Sequence, residues 1–287
     1  MLEANNTLTN QLNGINTPLE KINLLLNQAN QLKNKTPAHA LELCQQAYDL
    51  TLETEPDNAD LIGTTLVQLS ELHIYLNCYE LAMTCATEAL PYLEESNNSK
   101  ELAKVFLVLS DTHLHFGDHP TALTFYLQSQ ERYHLLGDSH GEAMVLVHLS
   151  ALHDAMGESI QAAEAMQKAL HMLKADKPTN MLVNIYNNLA IVYKDMGDYA
   201  NALHHAQMGL EFARQLKHHI LESAILCTIG EIQIDTDSDD EAEIHFQQSI
   251  ELSREIGYSY IEPYALKGQA QIHLKHQRAK KAIPLLM

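Results

Sequence analysis

The sequence predicts an all-α fold, a right-handed α-α superhelix of about seven helix-turn-helix repeats stacked in one array. Alanine recurs about every 40 residues, and recurrence at such a period indicates stacked structural repeats. A second series of small residues runs twelve positions ahead of the alanines. Glycine (11) and proline (8) are scarce among the 287 residues, whereas strands would need frequent turn residues. Hydrophobic residues make up 46% of the chain, enough to bury a continuous core.

Four columns of residues define the repeat. The first is alanine, at Ala82, Ala122, Ala162, Ala202, Ala242 and Ala282. The second is small, at Ser70, Ser110, Ser150, Ala190, Gly230 and Ala270. The third marks the turn within each repeat, at Asn77, Gly117, Gly157, Gly197, Asp237 and Gln277. The fourth is small again, at Ala89, Ser129, Ala169, Gly209 and Ser249. Small residues let paired helices approach closely, and one helix pair cannot bury its apolar face without stacked neighbours.

The array is expected to occupy residues 17–287 as a single domain. Its repeats lie near 17–56, 59–98, 100–138, 141–177, 180–218, 221–258 and 261–287. Thr17 can cap the first helix, Pro18 suits its first turn and Glu20 stands where a capping box requires it. Pro91 is expected to distort or end the second helix of its repeat.

Both ends of the sequence carry expectations of their own. Residues 1–16 are polar and are expected to form a mobile segment. The seventh repeat stops before its second helix is complete, which predicts that the sequence is part of a longer protein.

The segment from Asn188 to Leu203 resembles the tetratricopeptide repeat family. It reads Asn-Leu-Ala-Ile-Val-Tyr-Lys-Asp-Met-Gly-Asp-Tyr-Ala-Asn-Ala-Leu. Within it, Gly197 can end one helix in the left-handed conformation and Asp198 can cap the next. The period of about 40 exceeds the usual ~34 and resembles the long variants of kinesin light chains, cell-polarity adaptors and bacterial sensors. The resemblance implies a scaffold that binds a protein or peptide. It further implies the regulatory or sensory region of a bacterial signalling protein, ahead of an effector such as a diguanylate cyclase or a kinase.

Charge and cysteine content narrow the function classes. Lys and Arg total 18 against 37 Asp and Glu, and the net charge of -19 disfavours nucleic-acid and anionic-membrane partners. The four cysteines form no CxxC pair, and no secretory signal or membrane-length apolar run occurs, so a cytoplasmic location is expected. No GxSxG, HExxH or phosphate-binding glycine loop is present. We therefore expect no enzymatic activity and no cofactor.

The resemblance places a ligand groove along the first helix of each repeat. The expected groove residues are Glu71, Leu107, Val108, Asp111, Met144, Val147, His148, Asp154, Asn184, Asn187, Asn188, Ile191, Lys194 and Glu231. Each asparagine amide offers a donor and an acceptor, so Asn184, Asn187 and Asn188 can pair with the main chain of an extended peptide. In kinesin-light-chain-like repeats the asparagine that matches Asn188 is used in this way. The alternative is that these amides are solvated or bond one helix to another.

Carboxylates recur at the same groove positions. They are Glu71, Asp111, Asp154, Asp195, Glu231 and Asp235. With Leu107, Val108 and Met144 between them, they suit an extended peptide or partner protein that carries basic and apolar side chains. An intramolecular effector domain is a further candidate partner. Ordinary solvated charge in an acidic chain is the alternative interpretation.

Metal binding is a weaker hypothesis. The histidine column of His73, His113, His153 and His273 spans repeats that stack about 10 Å apart, too far for one ion. The closest approach to a metal site is a cluster of His113, His115 and His119 with Asp111 and Asp118. The acidic run from Asp235 to Glu241 lacks the Gly and Glu of a calcium loop, so it is expected to cap the next helix. A metal-responsive sensor, and a structural module that forms a homodimer through the C-terminal repeat, remain alternatives.

Overall fold

The structure is a computed structural model that describes residues 15, 17–33, 36–173, 178–258, 260–276 and 279–286. Within these ranges the chain forms fourteen helices and no strand. The helices are α1 (Pro18–Leu32), α2 (Pro37–Thr54), α3 (Ala59–Tyr75), α4 (Tyr79–Glu95), α5 (Ser99–His115), α6 (His119–Leu135), α7 (Ser139–Ala155), α8 (Ser159–Met172), α9 (Asn180–Asp195), α10 (Tyr199–Gln215), α11 (His219–Asp235), α12 (Asp239–Glu255), α13 (Glu262–Lys275) and α14 (Ala279–Leu286). Apart from Ile15, the predicted mobile segment 1–16 lies outside the described residues.

The chain divides into two compact bodies, an N-terminal half (residues 1–148) and a C-terminal half (residues 149–287). In the N-terminal half α1 packs on α2, α3 on α4 and α5 on α6. In the C-terminal half α9 packs on α10, α11 on α12 and α13 on α14. The predicted all-α class, built of consecutive helix pairs, is confirmed.

The small-residue columns lie where the paired helices are closest. All six alanines of the first column are fully buried, and so are the serines of the second column. In the fourth column, the hydroxyl of Ser129 donates to the carbonyl of Ala103 at 2.7 Å. The hydroxyl of Ser249 donates in the same way to the carbonyl of Ser223, also at 2.7 Å. These positions need a small side chain because the backbone of the partner helix lies directly against them.

The helix starts and turns follow the predicted chemistry. The Thr17 hydroxyl accepts a hydrogen bond from the backbone N–H of Glu20 at 3.3 Å, which caps α1. Gly197 has φ +77°. The N–H of Asp198 donates to the carbonyl of Tyr193 at 2.9 Å, the closing bond of a Schellman motif. The Asp198 carboxylate then caps α10. The third column therefore marks left-handed turns as predicted, although Gln277 lies outside the described residues.

Four of the turns between repeats use the same left-handed conformation, at Asn97, Gly137, Lys217 and Gly257. Lys217 has φ +54°, which a residue with a Cβ adopts at a cost of roughly 1–2 kcal/mol. Glycine removes that cost but gains entropy in the unfolded chain, worth about 0.4–1 kcal/mol. Lys217→Gly is therefore expected to raise the free energy of unfolding by about 0.5–1 kcal/mol, measured by urea denaturation. Lys217→Ala is the control, because it removes the charge and keeps the Cβ. An equal gain from both variants would contradict the backbone explanation.

One local expectation is wrong in part and another is wrong. Helix α4 does not end at Pro91 but continues to Glu95. Proline removes the hydrogen bond to the carbonyl of Thr87, and because both residues are exposed, water can satisfy that carbonyl. The acidic run lies at the turn between α11 and α12, yet Ser238 makes no side-chain cap on α12.

The acidic run instead holds the next repeat. The carboxylates of Asp237 and Asp239 accept hydrogen bonds from the Lys275 ammonium at 2.7 and 3.0 Å. Asp239 also lies 2.9 Å from Nε2 of His276. The run therefore ties the end of α13 to the turn before α12. None of the helices in the described ranges is both long enough and apolar enough to cross a membrane.

Candidate functional site

A pocket of about 420 Å³ opens among α1, α3, α5 and α7 in the N-terminal half. Its lining is Asn23, Leu26, Asn27, Asn30, Lys33, Thr64, Val67, Gln68, Glu71, Glu101, Lys104 and Met144. Of the predicted groove residues, the pocket brings together Glu71 and Met144. Its volume lies within the range of about 300–1,000 Å³ that is typical of small-ligand sites.

The floor of this pocket is tied together by one long-range hydrogen bond. The side-chain amide of Gln68 on α3 donates to the backbone carbonyl of Leu26 on α1 at 2.8 Å. Val67 beside it is 1% exposed and closes the floor. The relative position of α1 and α3 is therefore fixed by contacts that lie beneath the exposed side chains of the pocket.

The charges in the pocket are paired unequally. Lys104 donates to Glu101 at 2.7 Å, which is a close ion pair. Lys33 lies 3.8 Å from Glu71, beyond hydrogen-bonding distance, and 6.0 Å from the centre of the Tyr75 ring. Of the two carboxylates, Glu101 and Glu71, Glu71 therefore makes the weaker ion pair.

Asp111, His148 and Tyr126 form a second polar cluster in the N-terminal half. The hydroxyl of buried Tyr126 donates to Asp111 Oδ1 at 2.6 Å, and Nδ1 of His148 lies 2.9 Å from the same oxygen. Burial and the Asp111 charge raise the pKa of Tyr126, which keeps it a neutral donor. Partial burial lowers the pKa of His148, but the charge and hydrogen bond of Asp111 outweigh it and raise the pKa overall. The Asp111 carboxylate is therefore already bonded to two side chains of the protein, those of Tyr126 and His148.

The remaining predicted groove residues of the N-terminal half differ in accessibility. Leu107 and Val108 are only 8% and 5% exposed, and Val108 belongs to the core shared by α3, α4 and α5. They support the groove positions from below and offer almost no surface to a ligand. Val147 is partly exposed on the same helix as His148.

In the C-terminal half, α9 carries the predicted asparagines. Asn184 is exposed, and Asn187 and Asn188 are partly exposed. The hydroxyl of Thr228 on α11 donates to Oδ1 of Asn187 at 3.0 Å, so this amide bonds one helix to another. The side chains of Asn184 and Asn188 make no hydrogen bond with other described residues. Two of the three amides are thus available to a ligand.

A smaller pocket, of about 250 Å³, lies next to α9. It is lined by Lys194, Glu231, Ile234, Asp235, Tyr264, Lys267, Gly268 and Gln271. The Lys194 ammonium donates to Glu231 at 2.7 Å. Burial lowers the pKa of Lys194, but the hydrogen bond and charge of Glu231 raise it overall. Ile191 is partly exposed and Asp154, at the end of α7, is exposed.

Metal ligation and thiol chemistry find little support among these side chains. Within the described ranges, no three His, Cys, Asp or Glu side chains come together as a metal site. The histidine cluster weighed from the sequence is dispersed, because His113 pairs with Asp118 at 3.2 Å and His115 stacks on Tyr79 at 3.6 Å. Burial raises the pKa of Cys44 and of Cys227 to about 12, so both stay protonated thiols at neutral pH.

Sequence reasoning missed the asparagines of α1, namely Asn23, Asn27 and Asn30. The groove positions predicted from the sequence begin only at the second repeat. The matching positions of the first repeat lie 41 residues earlier, one more than the 40-residue period of the columns. They are Asn23, Leu26, Asn27 and Asn30, which correspond to Thr64, Val67, Gln68 and Glu71. The signal was present, but the first column suggested a different shift, the longer one from Ala82 back to Ala40.

Comparison with protein families gives two matches. A tetratricopeptide repeat model matches residues 181–255, which run from α9 to the end of α12. A model described as anaphase-promoting complex subunit 5 matches twice in succession, over residues 24–113 and 112–196. Because one model fits two consecutive stretches, it detects the repeated helix pair. No curated protein sequence matches the chain.

Solved structures with a similar fold are numerous. The apo form of the quorum sensor NprR from B. thuringiensis has a TM-score of 0.78 at 11% identity, covering 98% of this chain and 78% of that one. The Rap conjugation gene regulator of plasmid pLS20, in complex with the Phr* peptide, has a TM-score of 0.67 at 16% identity, covering 93% and 74%.

A signal transduction ATPase with a tetratricopeptide repeat sensor, from Pyrococcus horikoshii, has a TM-score of 0.72 at 15% identity. The alignment covers 93% of this chain and 41% of that protein. At such identities the likeness shows the fold alone. The helix pairs, the left-handed turns, the small-residue columns and the family match lead to one conclusion: the chain belongs to the tetratricopeptide repeat family.

Proposed function

We propose that this chain is a peptide-binding scaffold that serves as the sensory region of a signalling protein. The ligand is an extended peptide or a segment of a partner protein, and the chain itself performs no reaction. Each repeat contacts chiefly its neighbours, so a ligand that touches several repeats can change how they stack. Such a change would be passed to an effector, for example a cyclase or kinase domain of the same protein.

The observation that carries this proposal is the accessibility and hydrogen bonding of the polar groove side chains. They present polar side chains that are accessible and, at Asn184 and Asn188, without a hydrogen-bond partner among the described residues. An amide pairs equally well with the N–H and C=O groups of any peptide main chain. The thiols of Cys44 and Cys227 are buried, and His113 and His115 are directed to different partners, so these groups do not favour a catalytic function.

The similar structures lend support of the same kind. One is a quorum sensor, one is bound to a peptide and one is called a sensor. These are properties of those proteins. They make a sensory peptide-binding function the first to test here.

The test is a titration of the chain with pools of short random peptides, followed by fluorescence polarisation. We expect saturable binding by wild type. Changing Asn184, Asn187 and Asn188 together to Ala should weaken part of it by about tenfold, because two available amides contribute about 1 kcal/mol each less their own desolvation. The matched control changes Gln207 and Gln248, exposed amides on α10 and α12, to Ala. Absence of binding by wild type would refute the proposed function.

A further inference from the structure

The inner face of α1 carries an ordered row of amides. Asn23, Asn27 and Asn30 are all exposed and all line the 420 Å³ pocket of the N-terminal half. An adjacent face of α1 is buried through Ile22, Leu25, Leu26 and Ala29. Because that face is packed and Gln68 bonds the backbone at Leu26, the row is presented by a fixed helix.

The spacing of the row suits an extended main chain. Residues four and three apart on an α-helix are separated by about 6 and 4.5 Å along its axis. In an extended peptide, groups on the same edge recur every second residue, about 6.6 Å apart. An asparagine side chain can absorb the remaining difference by rotation. Three amides in this order can therefore pair with successive main-chain groups of one peptide.

The charges select the kind of peptide. The N-terminal half contains 6 Lys and Arg against 19 Asp and Glu, so it attracts basic ligands and repels acidic ones. Inside the pocket the two cations are already beside carboxylates, at Lys104–Glu101 and Lys33–Glu71. Glu71 is 29% exposed and its lysine is 3.8 Å away, so a guanidinium or ammonium group of a ligand can take the place of that lysine.

We propose that the pocket among α1, α3, α5 and α7 binds a short, extended peptide segment that carries arginine or lysine. Asn23, Asn27 and Asn30 pair with its main chain, and Glu71 receives the basic side chain. Met144, a flexible apolar side chain on the wall of the pocket, packs against the remainder of the ligand. This inference rests on the proposed function and assigns it a site and a ligand class.

The test uses the whole chain and two labelled pools of short peptides with equal length and equal apolar content. One pool contains arginine and the other contains glutamate at the same positions. We expect the arginine pool to bind more tightly, and added salt to weaken it. Asn23→Ala, Asn27→Ala and Asn30→Ala combined should reduce this binding at least tenfold, and Glu71→Gln should reduce it severalfold. The matched control changes Gln207 and Gln248 to Ala, which removes exposed amides from α10 and α12 and should retain this binding. The combined Ala variant of Asn184, Asn187 and Asn188 on α9 is measured alongside, so that the two candidate sites can be told apart.

The outcomes separate the two proposals. If the arginine pool loses affinity only in the α9 variant, or if the glutamate pool binds equally well, the pocket assignment is overturned and the peptide-binding function stands. If wild type binds neither pool, both proposals fail. Circular dichroism checks the fold of the variants, and alanine at exposed helical positions favours the helix.

Discussion

Gly268→Ala is expected to destabilise the chain by about 1–3 kcal/mol, the range for overpacking a filled core. Phe246 on α12 is fully buried. A methyl group at Gly268 on α13 would overlap its ring at Cζ, and one at Gly230 on α11 would lie 2.7 Å from Cε1. The ring cannot move away from one glycine without approaching the other. The measurement is the free energy of unfolding from urea denaturation of the purified chain.

The effect of Gly268→Ala on the free energy of unfolding should change sign once the Phe246 ring is removed. Phe246→Ala alone is expected to cost about 3–5 kcal/mol, because it leaves a cavity between two helices. In that background, Gly268→Ala meets no ring and restores helix propensity worth about 1 kcal/mol. It should therefore be neutral or stabilising. A destabilisation of equal size in both backgrounds would show that the glycine is needed for a reason other than Phe246.

The contact between Phe246 and Gly268 shows why the repeat could be predicted from the sequence while the packing between repeats could not. The small-residue columns recur at a constant period because backbone contacts within a helix pair are the same in each repeat. Phe246 and Gly268 belong to adjacent repeats. Elsewhere the same two positions hold Tyr126 with His148, and Ala206 with Thr228. The residues at these two positions differ in size from repeat to repeat, so neither position forms a column that sequence inspection would detect.

The candidate site could likewise be predicted from the sequence only in part. The family resemblance indicated which positions of each first helix line the groove, and two of them, Glu71 and Met144, lie in one pocket. It could not tell that Thr228 would occupy the oxygen of Asn187, or that Leu107 and Val108 would be covered. Such outcomes depend on the side chains that neighbouring helices present, and these differ from repeat to repeat.

Asp111→Ala is expected to lower the free energy of unfolding by about 1–3 kcal/mol, the cost of an unsatisfied buried donor. The donor is the hydroxyl of Tyr126, which is fully buried and bonds Asp111 at 2.6 Å. Tyr126→Phe removes that donor and should recover part of the loss in the double variant. If Asp111→Ala costs as much in the Tyr126→Phe background as in wild type, this account is contradicted.

Asp111→Asn separates the charge from the hydrogen bond. It keeps an acceptor for Tyr126 and removes the carboxylate that raises the pKa of His148. A raised pKa in the folded state stabilises the fold fully below the unfolded value of about 6.5. That stabilisation is lost as the pH rises through the folded pKa. Wild type should therefore gain stability relative to Asp111→Asn on acidification from about pH 8 to pH 5.5.

The comparison between two proteins is needed because the chain contains 17 histidines, several of them beside other carboxylates. Any contribution from these other histidines is common to both proteins and cancels in the difference. His148→Gln should abolish the pH dependence of that difference, since it removes the titrating partner. If the difference between wild type and Asp111→Asn stays constant over this range, the His148–Asp111 pair does not titrate as its geometry requires. Asp111 would then stabilise the fold through its hydrogen bond with Tyr126 alone.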